Sequence, residues 1–157
     1  MDTEHVTGFA TVAEEVERRI TSTIWCTLAT TDPKGRPRTR IVHPIWERTS
    51  DGVVGWLGTR TGTPKIGHVE QTPWASLLYW DPRHQQVTID AEVSVHVDDD
   101  ARRRVWDLLS EPPEPYGFDP APMWPDGATG EGFTVLRFDP VRITLFGQPP
   151  QVWRRPA

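Results

Sequence analysis

The chain has few of the residues that build covalent or metal-held frameworks, with only one cysteine, Cys26, among 157 residues. A single cysteine excludes an intrachain disulfide and any metal site built from several cysteines. The five histidines show no metal-ligand spacing, so we expect no metal. Neither a Ser-His-Asp arrangement nor a G-x-S-x-G motif is visible. The residues alone therefore identify no catalytic group.

Long apolar runs and long basic runs are also missing. No segment approaches the roughly 20 apolar residues that a membrane-spanning helix needs. The acidic segment 1–20 lacks the apolar core of a signal peptide. The net charge of −5 argues against nucleic acid as the main partner, because cationic contacts to phosphates dominate that affinity. We expect a cytoplasmic protein that binds neither membranes nor nucleic acid.

Lysine is rare as well: Lys34 and Lys65 stand against 15 arginines. Lys65 lies in GWLGTRTGTPKIGHV, residues 55–69, which passes from a strand-like segment into a helix-like one. Hydroxyls, glycines, a cation and a helix N-terminus are the ingredients of an anion site. The spacing excludes a Walker loop and a dinucleotide fingerprint. The segment therefore predicts either a phosphate site or an ordinary polar turn.

The hydrophobic pattern that is present predicts a mainly β domain with peripheral helices. Apolar spacing indicates a helix over 9–21, and strict alternation makes QVTIDAEVSVHV, residues 86–97, the clearest strand. A second helix is followed by a proline-rich loop over 111–132, and the chain ends in an extended tail over 148–157. Six or seven strands joined by short turns favour an antiparallel barrel. Its exposed edges would need closure or burial in a dimer.

The segment RTRIVHPIW, residues 38–46, reads as one strand that Pro44 demotes to an edge or a bulge. Arg38 and Arg40 share one of its faces. If this strand pairs with the next one, Arg40 would lie near Thr59, and the two arginines would flank the Lys65 segment. The alternative is a solvated strand face. The tryptophans near strand ends are read as core fillers, with one or two as possible ligand walls: Trp46, Trp56, Trp74 and Trp80.

The order of these features resembles a known family. A helix leads into WCTLATTDPKGRPRTRIVHPIW, then VGWLGTRTGTPKIGHVEQTPWASLLYW, then QQVTIDAEVSVHVDDDARRRVWDLL. Over roughly residues 10–147 this is similar to the pyridoxamine 5′-phosphate oxidase-like family of FMN-binding split β-barrels. The resemblance implies a single FMN-binding split-barrel domain over 1–157, with a six- to seven-stranded antiparallel barrel and a homodimer.

The resemblance also implies cofactor contacts, position by position. The contacts within the chain would be Arg40, Ile41, Val42, Thr59, Gly62, Thr63 and Lys65. Gln86 would contact the flavin of the partner chain. Trp153 and Arg155 would correspond to a C-terminal pair that contacts FMN in the true oxidases.

The chain departs from the family where the true oxidases hold a phosphorylated substrate. It has LLSEPPEPYGFDPAPMWP there, which is acidic and rich in proline. A separate departure is Pro64, which stands where the oxidases often have an arginine and so weakens the expected phosphate site for FMN. We therefore expect an FMN-dependent oxidoreductase with another small-molecule substrate, for which His43 and Tyr116 are the acid–base candidates. The bias toward arginine over lysine is typical of a GC-rich genome. Because actinobacterial relatives of this family often bind the deazaflavin F420, which also carries a phosphate, F420 is an alternative cofactor. A non-catalytic flavin- or haem-binding protein is the third interpretation.

Overall fold

The computed structural model describes residues 2–157, which form nine β-strands and three α-helices. The strands are β1 Glu4–Val6, β2 Cys26–Thr31, β3 Pro37–Val42, β4 Ile45–Arg48, β5 Val53–Arg60, β6 Trp74–Trp80, β7 Gln86–His96, β8 Phe133–Leu145 and β9 Gln151–Arg154. The helices are α1 Ala13–Thr23, α2 Pro64–Gln71 and α3 Asp99–Ser110. No helix within residues 2–157 combines the length and the apolar character needed to cross a membrane.

All strands belong to one branched sheet. Its main order is β1-β9-β8-β7-β6-β2-β3, and β5 pairs with both β4 and β8. Every pairing is antiparallel except that of β1 with β9. The first half of β8 pairs with β5 and its last residues pair with β9, so the sheet divides along this long strand. The prediction of a mainly β split barrel is confirmed, with nine strands instead of six or seven.

Two prolines, Pro44 and Pro140, affect the strands that contain them in opposite ways. The segment 38–46 is two strands, β3 and β4, separated at His43 and Pro44, because proline has no N–H to donate to a ladder. Pro140, in contrast, does not break β8. The ladder with β7 shifts by one residue there, since Ala91 pairs with Pro140 while Asp90 pairs with Arg142. This β-bulge absorbs the proline within one continuous strand.

The ends of the chain also differ from the prediction. The segment expected to be a helix over 9–21 begins as a 3₁₀ turn at Phe9–Thr11 and continues as α1 to Thr23. The extended tail contains β9, which pairs with β8 on one side and with β1 on the other. Both ends are thereby attached to the sheet by backbone hydrogen bonds.

The core lies where α1 covers one face of the sheet. Alternate residues of β7 are fully buried there, together with Val16 and Ile20 of α1. Cys26 is buried in this core, and desolvation raises the pKa of its thiol to about 12. A thiol held neutral in this way is inert, in line with a packing role.

A second apolar cluster joins β5 and β8 to α3 and to the proline-rich segment 111–132. The segment is folded onto the domain, since Phe118 N donates to Leu109 O at 2.8 Å and Arg102 Nη1 donates to Gly130 O at 2.8 Å. Gly117 is required where the segment doubles back, because a Cβ there would overlap the carbonyl oxygen of Pro112. The segment is therefore a fixed wall beside β5.

Candidate functional site

A cavity of about 490 Å³ lies between β3, β5, the start of α2 and the segment 111–132. Its lining residues are of two kinds, one polar or cationic and the other mainly aromatic. The lining residues are Trp25, Ile41, Val42, His43, Leu57, Gly58, Thr59, Arg60, Thr63, Lys65, Pro115, Phe118, Met123 and Trp124. We call Thr59, Arg60, Thr63 and Lys65 the cationic half, and Trp25, His43, Phe118, Met123 and Trp124 the aromatic half.

The cationic half is built by a short turn between β5 and α2. Gly62 has a φ of +83°, a backbone conformation that favours glycine, and nothing lies within 4 Å of a Cβ built there. Thr63 then precedes Pro64 at the first helical position. The Thr63 hydroxyl accepts from Lys65 Nζ at 3.2 Å and lies 3.5 Å from the Thr59 hydroxyl, instead of capping the helix. The turn thus brings two hydroxyls and an ammonium group to one place.

Arg40 stands next to this half, although it is not among the lining residues. Its Nη1 donates to Thr30 Oγ1 at 2.7 Å and to Leu28 O at 3.1 Å. Thr30 Oγ1 in turn forms a hydrogen bond of 2.8 Å with His68 Nδ1 of α2. This chain of hydrogen bonds ties the guanidinium to the helix that carries Lys65.

The charges of this half are not balanced locally. Burial lowers the pKa of Lys65, the nearby Arg40 guanidinium lowers it further, and burial lowers the pKa of Arg40. Within residues 2–157, neither cation forms an ion pair with a carboxylate. Two partly buried cations side by side favour an anion between or beside them.

Arg38 does not share this position. Its Nε donates to Asp32 Oδ2 at 3.3 Å, alongside Arg36 at 3.0 Å. The expected pairing that would bring Arg40 next to Thr59 is also wrong in detail. β3 pairs with β2, and only β4 pairs with β5, because the chain breaks at Pro44. Arg40 reaches the site across β2 instead.

The aromatic half is assembled from three distant parts of the chain. The ring centroid of His43 lies 5.0 Å from that of Trp25 and 5.1 Å from that of Phe118. Trp25 is presented by a tight turn at the end of α1, in which Ile24 has a φ of 70° and a ψ of −63° and Trp25 N donates to Thr23 O at 2.8 Å. A β-branched residue in that conformation is strained, and such strain is often found at functional sites.

The structure brings most of the predicted cofactor contacts together. Ile41, Val42, Thr59, Thr63 and Lys65 line the cavity, whereas Arg40 and Gly62 lie just outside it. These assignments remain predictions of binding. Of the aromatic half, the sequence identified only His43 as a candidate site residue. The feature that pointed to the rest was the unusual length and proline content of the segment 111–132.

Four other predicted site residues, three cofactor contacts and one acid–base candidate, do not line the cavity. Gln86 begins β7 opposite Trp80 and does not line the cavity. Trp153 is buried with its ring centroid 5.5 Å from that of Phe9, and Arg155 pairs with Glu92. Tyr116 is not a lining residue; its hydroxyl accepts from Trp46 N at 3.1 Å.

The four tryptophans considered as ligand walls do not line the cavity formed by residues 2–157. Trp46 and Trp56 pack inside, and Trp74 and Trp80 are exposed on the sheet. No group of three or more His, Cys, Asp or Glu side chains in the described part of the chain is arranged to hold a metal ion.

Solved structures define the class of the fold. A protein related to general stress protein 26 from Clostridium acetobutylicum superposes with a TM-score of 0.72 at 14% identity, covering 92% of this chain and 94% of that one. A pyridoxamine 5′-phosphate oxidase-related, FMN-binding protein from Nostoc punctiforme gives a TM-score of 0.66 at 18% identity, covering 94% and 90%. At these identities the likeness establishes the split-barrel fold.

The sequence establishes the family. The profile of the family described as pyridoxamine 5′-phosphate oxidase matches residues 12–147, so the chain belongs to that family. Among curated proteins, dihydrophenazinedicarboxylate synthase from Pseudomonas chlororaphis is 38% identical over 80 residues. That match spans 50% of this chain but only 34% of the relative.

Proposed function

We propose that this protein binds FMN, with the phosphate at the cationic half of the cavity, and that it is an oxidoreductase acting on a small molecule. The observation that carries the proposal is the pair of partly buried cations, Arg40 and Lys65, without a carboxylate partner among residues 2–157. Leaving buried charge uncompensated is costly, so a bound phosphate would stabilise the site. The flavin would supply the redox chemistry, while the protein binds and orients it.

The comparisons support a flavin and an enzymatic role. The chain belongs to the pyridoxamine 5′-phosphate oxidase family, and the Nostoc neighbour is described as FMN-binding. The Pseudomonas relative is named as a synthase of a dihydrophenazine dicarboxylate, which is consistent with an aromatic substrate. These names set the direction of the proposal, and the test rests on this chain's own residues.

Pyridoxamine 5′-phosphate itself is a poor candidate substrate, but the acidic residues of segment 111–132 are not the reason. The acidic residues Glu111, Glu114 and Asp119 are exposed and do not line the cavity of the described chain. The lining cations Arg60 and Lys65 both belong to the cationic half. A substrate phosphate would therefore compete with the flavin phosphate for these two cations.

We also propose that the protein is a homodimer and that the partner completes the site. Ile41, Thr27 and Leu78 form a row across β3, β2 and β6, and both apolar residues of that row are exposed. Trp74 and Trp80 continue this face along β6, and are about half exposed. An apolar surface of this kind marks an interface. Ile41 also lines the cavity, so the face adjoins the cofactor site.

Gln86 fits the same arrangement. It pairs with Trp80 on β6, two residues along from the pairing of Leu78 with Thr88, and so shares their face. In the proposed dimer it would contact the cofactor of the partner subunit. This agrees with the role that the family resemblance implies.

F420 is the second candidate cofactor. The cationic half would recognise a phosphate group, which FMN and F420 share, and the cavity lining contains no feature specific to one ring system. The same titration therefore includes both. A protein that binds a flavin or haem without turnover would instead be a non-catalytic binding protein.

The central experiment titrates the purified protein with FMN and, in parallel, with F420, following cofactor fluorescence. We expect saturable binding of one of them. Lys65→Ala should weaken it by about 1.5–3 kcal/mol, the usual contribution of a hydrogen bond to a charged group. Lys34→Ala is the matched control, because Lys34 is the other lysine and lies in an exposed turn. Equal affinities for the two variants would refute the phosphate assignment.

The dimer is tested by sedimentation velocity. Leu78→Arg places a charge in the exposed row and should shift the protein to the monomer, with weaker cofactor binding because Gln86 of the partner is lost. Val97→Arg changes another exposed apolar residue, just beyond β7, and should leave the dimer intact. A wild-type protein that sediments as a monomer would exclude the interface.

A further inference from the structure

His43 is a buried polar side chain with one ring nitrogen that no other residue among 2–157 satisfies. It is only 8% exposed, and its Nε2 is buried without a hydrogen-bond partner in the described chain. Burial of an unsatisfied polar atom is destabilising, and such atoms are rare in folded proteins. His43 lines the cavity, so a ligand is the natural partner of this nitrogen.

The protonation of the ring decides what Nε2 offers to a ligand. Desolvation lowers the pKa of His43, which favours the neutral ring. A neutral imidazole has one N–H and one lone pair, and with the proton on Nδ1 the lone pair lies on Nε2. In that tautomer the buried Nε2 is a hydrogen-bond acceptor facing the cavity.

The rest of the aromatic half defines the shape and charge of what binds. Trp25 and Phe118 flank the His43 ring at 5.0 and 5.1 Å between centroids. Trp25 and Met123 are exposed, at 57% and 43%. No carboxylate lines the cavity within residues 2–157. Flat apolar walls without charge select a planar, uncharged ring.

We propose that the aromatic half is the substrate subsite, and that it binds an uncharged planar aromatic molecule whose N–H or O–H group donates a hydrogen bond to His43 Nε2. The segment 111–132 provides one wall through Pro115, Phe118, Met123 and Trp124. The inference rests on the proposed function only in calling the ligand a substrate. Binding of the ring to this half is a separate claim.

The test compares two probes of nearly the same shape. 2-Naphthol is neutral near neutral pH and donates an O–H, whereas 2-methoxynaphthalene offers no donor. Equilibrium dialysis with the purified full-length protein, with and without saturating FMN, measures both affinities. We expect 2-naphthol to bind roughly two- to tenfold more tightly, which is the value of one net hydrogen bond. Equal affinities would overturn the proposal without any variant.

Two variants locate the effect. His43→Phe keeps a ring but removes the acceptor, so it should abolish the preference and leave the binding of 2-methoxynaphthalene within twofold of the wild type. His5→Phe, at an exposed histidine of β1, is the matched control and should keep the preference. Phe118→Ala should weaken both probes equally. A preference that survives His43→Phe would assign the donor contact to another group.

The cofactor arm separates this proposal from the previous one. If FMN binds and 2-naphthol still binds to the FMN complex, both proposals stand. If FMN and 2-naphthol displace each other, the flavin ring occupies the aromatic half and the substrate subsite is refuted, although flavin binding is not. If neither FMN nor F420 binds while the naphthol preference persists, the flavin proposal fails and the ligand subsite remains.

Discussion

The two halves of the cavity are built in opposite ways. The cationic half comes from one short stretch, Thr59 to Lys65, in which a glycine turn and a proline start a helix. The aromatic half comes from the end of α1, the end of β3 and the segment 111–132. One half therefore depends on local backbone geometry and on the absence of a counter-ion. The other depends on the docking of a distant segment, and the two can be disturbed separately.

The largest expected effect falls on the cationic half. Arg40→Gln removes the charge but keeps a hydrogen-bonding side chain, and should weaken FMN binding by about 1.5–3 kcal/mol. Arg38→Gln should change it little, because Arg38 already pairs with Asp32. When Arg40→Gln is combined with Lys65→Ala, the loss of binding free energy should be less than the sum of the two single losses, since both cations would contact one phosphate. Fluorescence titration measures all four; equal losses for Arg38 and Arg40 would contradict the assignment.

Gly117→Ala targets the aromatic half. A Cβ at this position overlaps the Pro112 carbonyl, so we expect the free energy of unfolding to fall by about 1–3 kcal/mol, as in other overpacked sites. The binding of 2-naphthol should weaken together with it, whereas the binding of FMN should change much less. Urea unfolding and equilibrium dialysis measure the two effects. A parallel loss of FMN affinity would show that the halves are not independent.

Gly67→Ala is the same substitution on the helix of the cationic half. Nothing lies within 4 Å of a Cβ built at this exposed position of α2. Alanine should therefore raise the free energy of unfolding by about 0.5–1 kcal/mol, because it restricts the unfolded chain. Urea unfolding gives the sign. A destabilised variant would mean that α2 is not a regular helix there.

The smallest expected effect concerns the turn in which Asp32 pairs with Arg38. Asp32 accepts hydrogen bonds from the backbone of Arg36 and Lys34 and from the side chains of Arg36 and Arg38, which lower its pKa from 3.8 to about 2. Because the folded pKa is depressed, the stabilisation is present above pH 3.8 and is lost as the pH falls toward 2.

Asp32→Asn should thus be less stable than the wild type near neutral pH, and the difference should shrink as the pH falls from about 5 toward 2. Urea unfolding at a series of pH values measures this convergence. Asp126→Asn, at an exposed residue outside the turn, is the control and should show no such trend. A constant difference across that pH range would argue against an ionised, hydrogen-bonded Asp32.

Local chemistry explains which predictions succeeded. Alternation identified β7, and the order of glycine, threonine, proline and lysine identified the turn before α2, because each of these depends on residues close in sequence. The single strand predicted over 38–46 was wrong because a proline has two outcomes in a sheet. It ends a strand, as at Pro44, or is absorbed by a bulge, as at Pro140, and the neighbouring strand decides between them.

The tryptophans show the same limit. Trp46, Trp56, Trp74 and Trp80 all lie in strands, and periodicity alone does not say which face of a branched sheet is covered. Trp25 lines the cavity because a strained turn ends α1 just before it, and Trp124 does so because its segment folds back onto β8. Neither is part of a local motif.

The sequence by itself therefore determined the mainly β architecture, the family, and the short turn that carries Thr59, Thr63 and Lys65. Only the tertiary structure decided which arginine lacks a counter-ion, and that the proline-rich segment supplies an aromatic wall against His43. The physical reason is that helix starts, turns and strand alternation are set by neighbouring residues. Burial, charge compensation and an unpaired nitrogen depend instead on groups up to about a hundred residues apart, which meet only when the chain is folded.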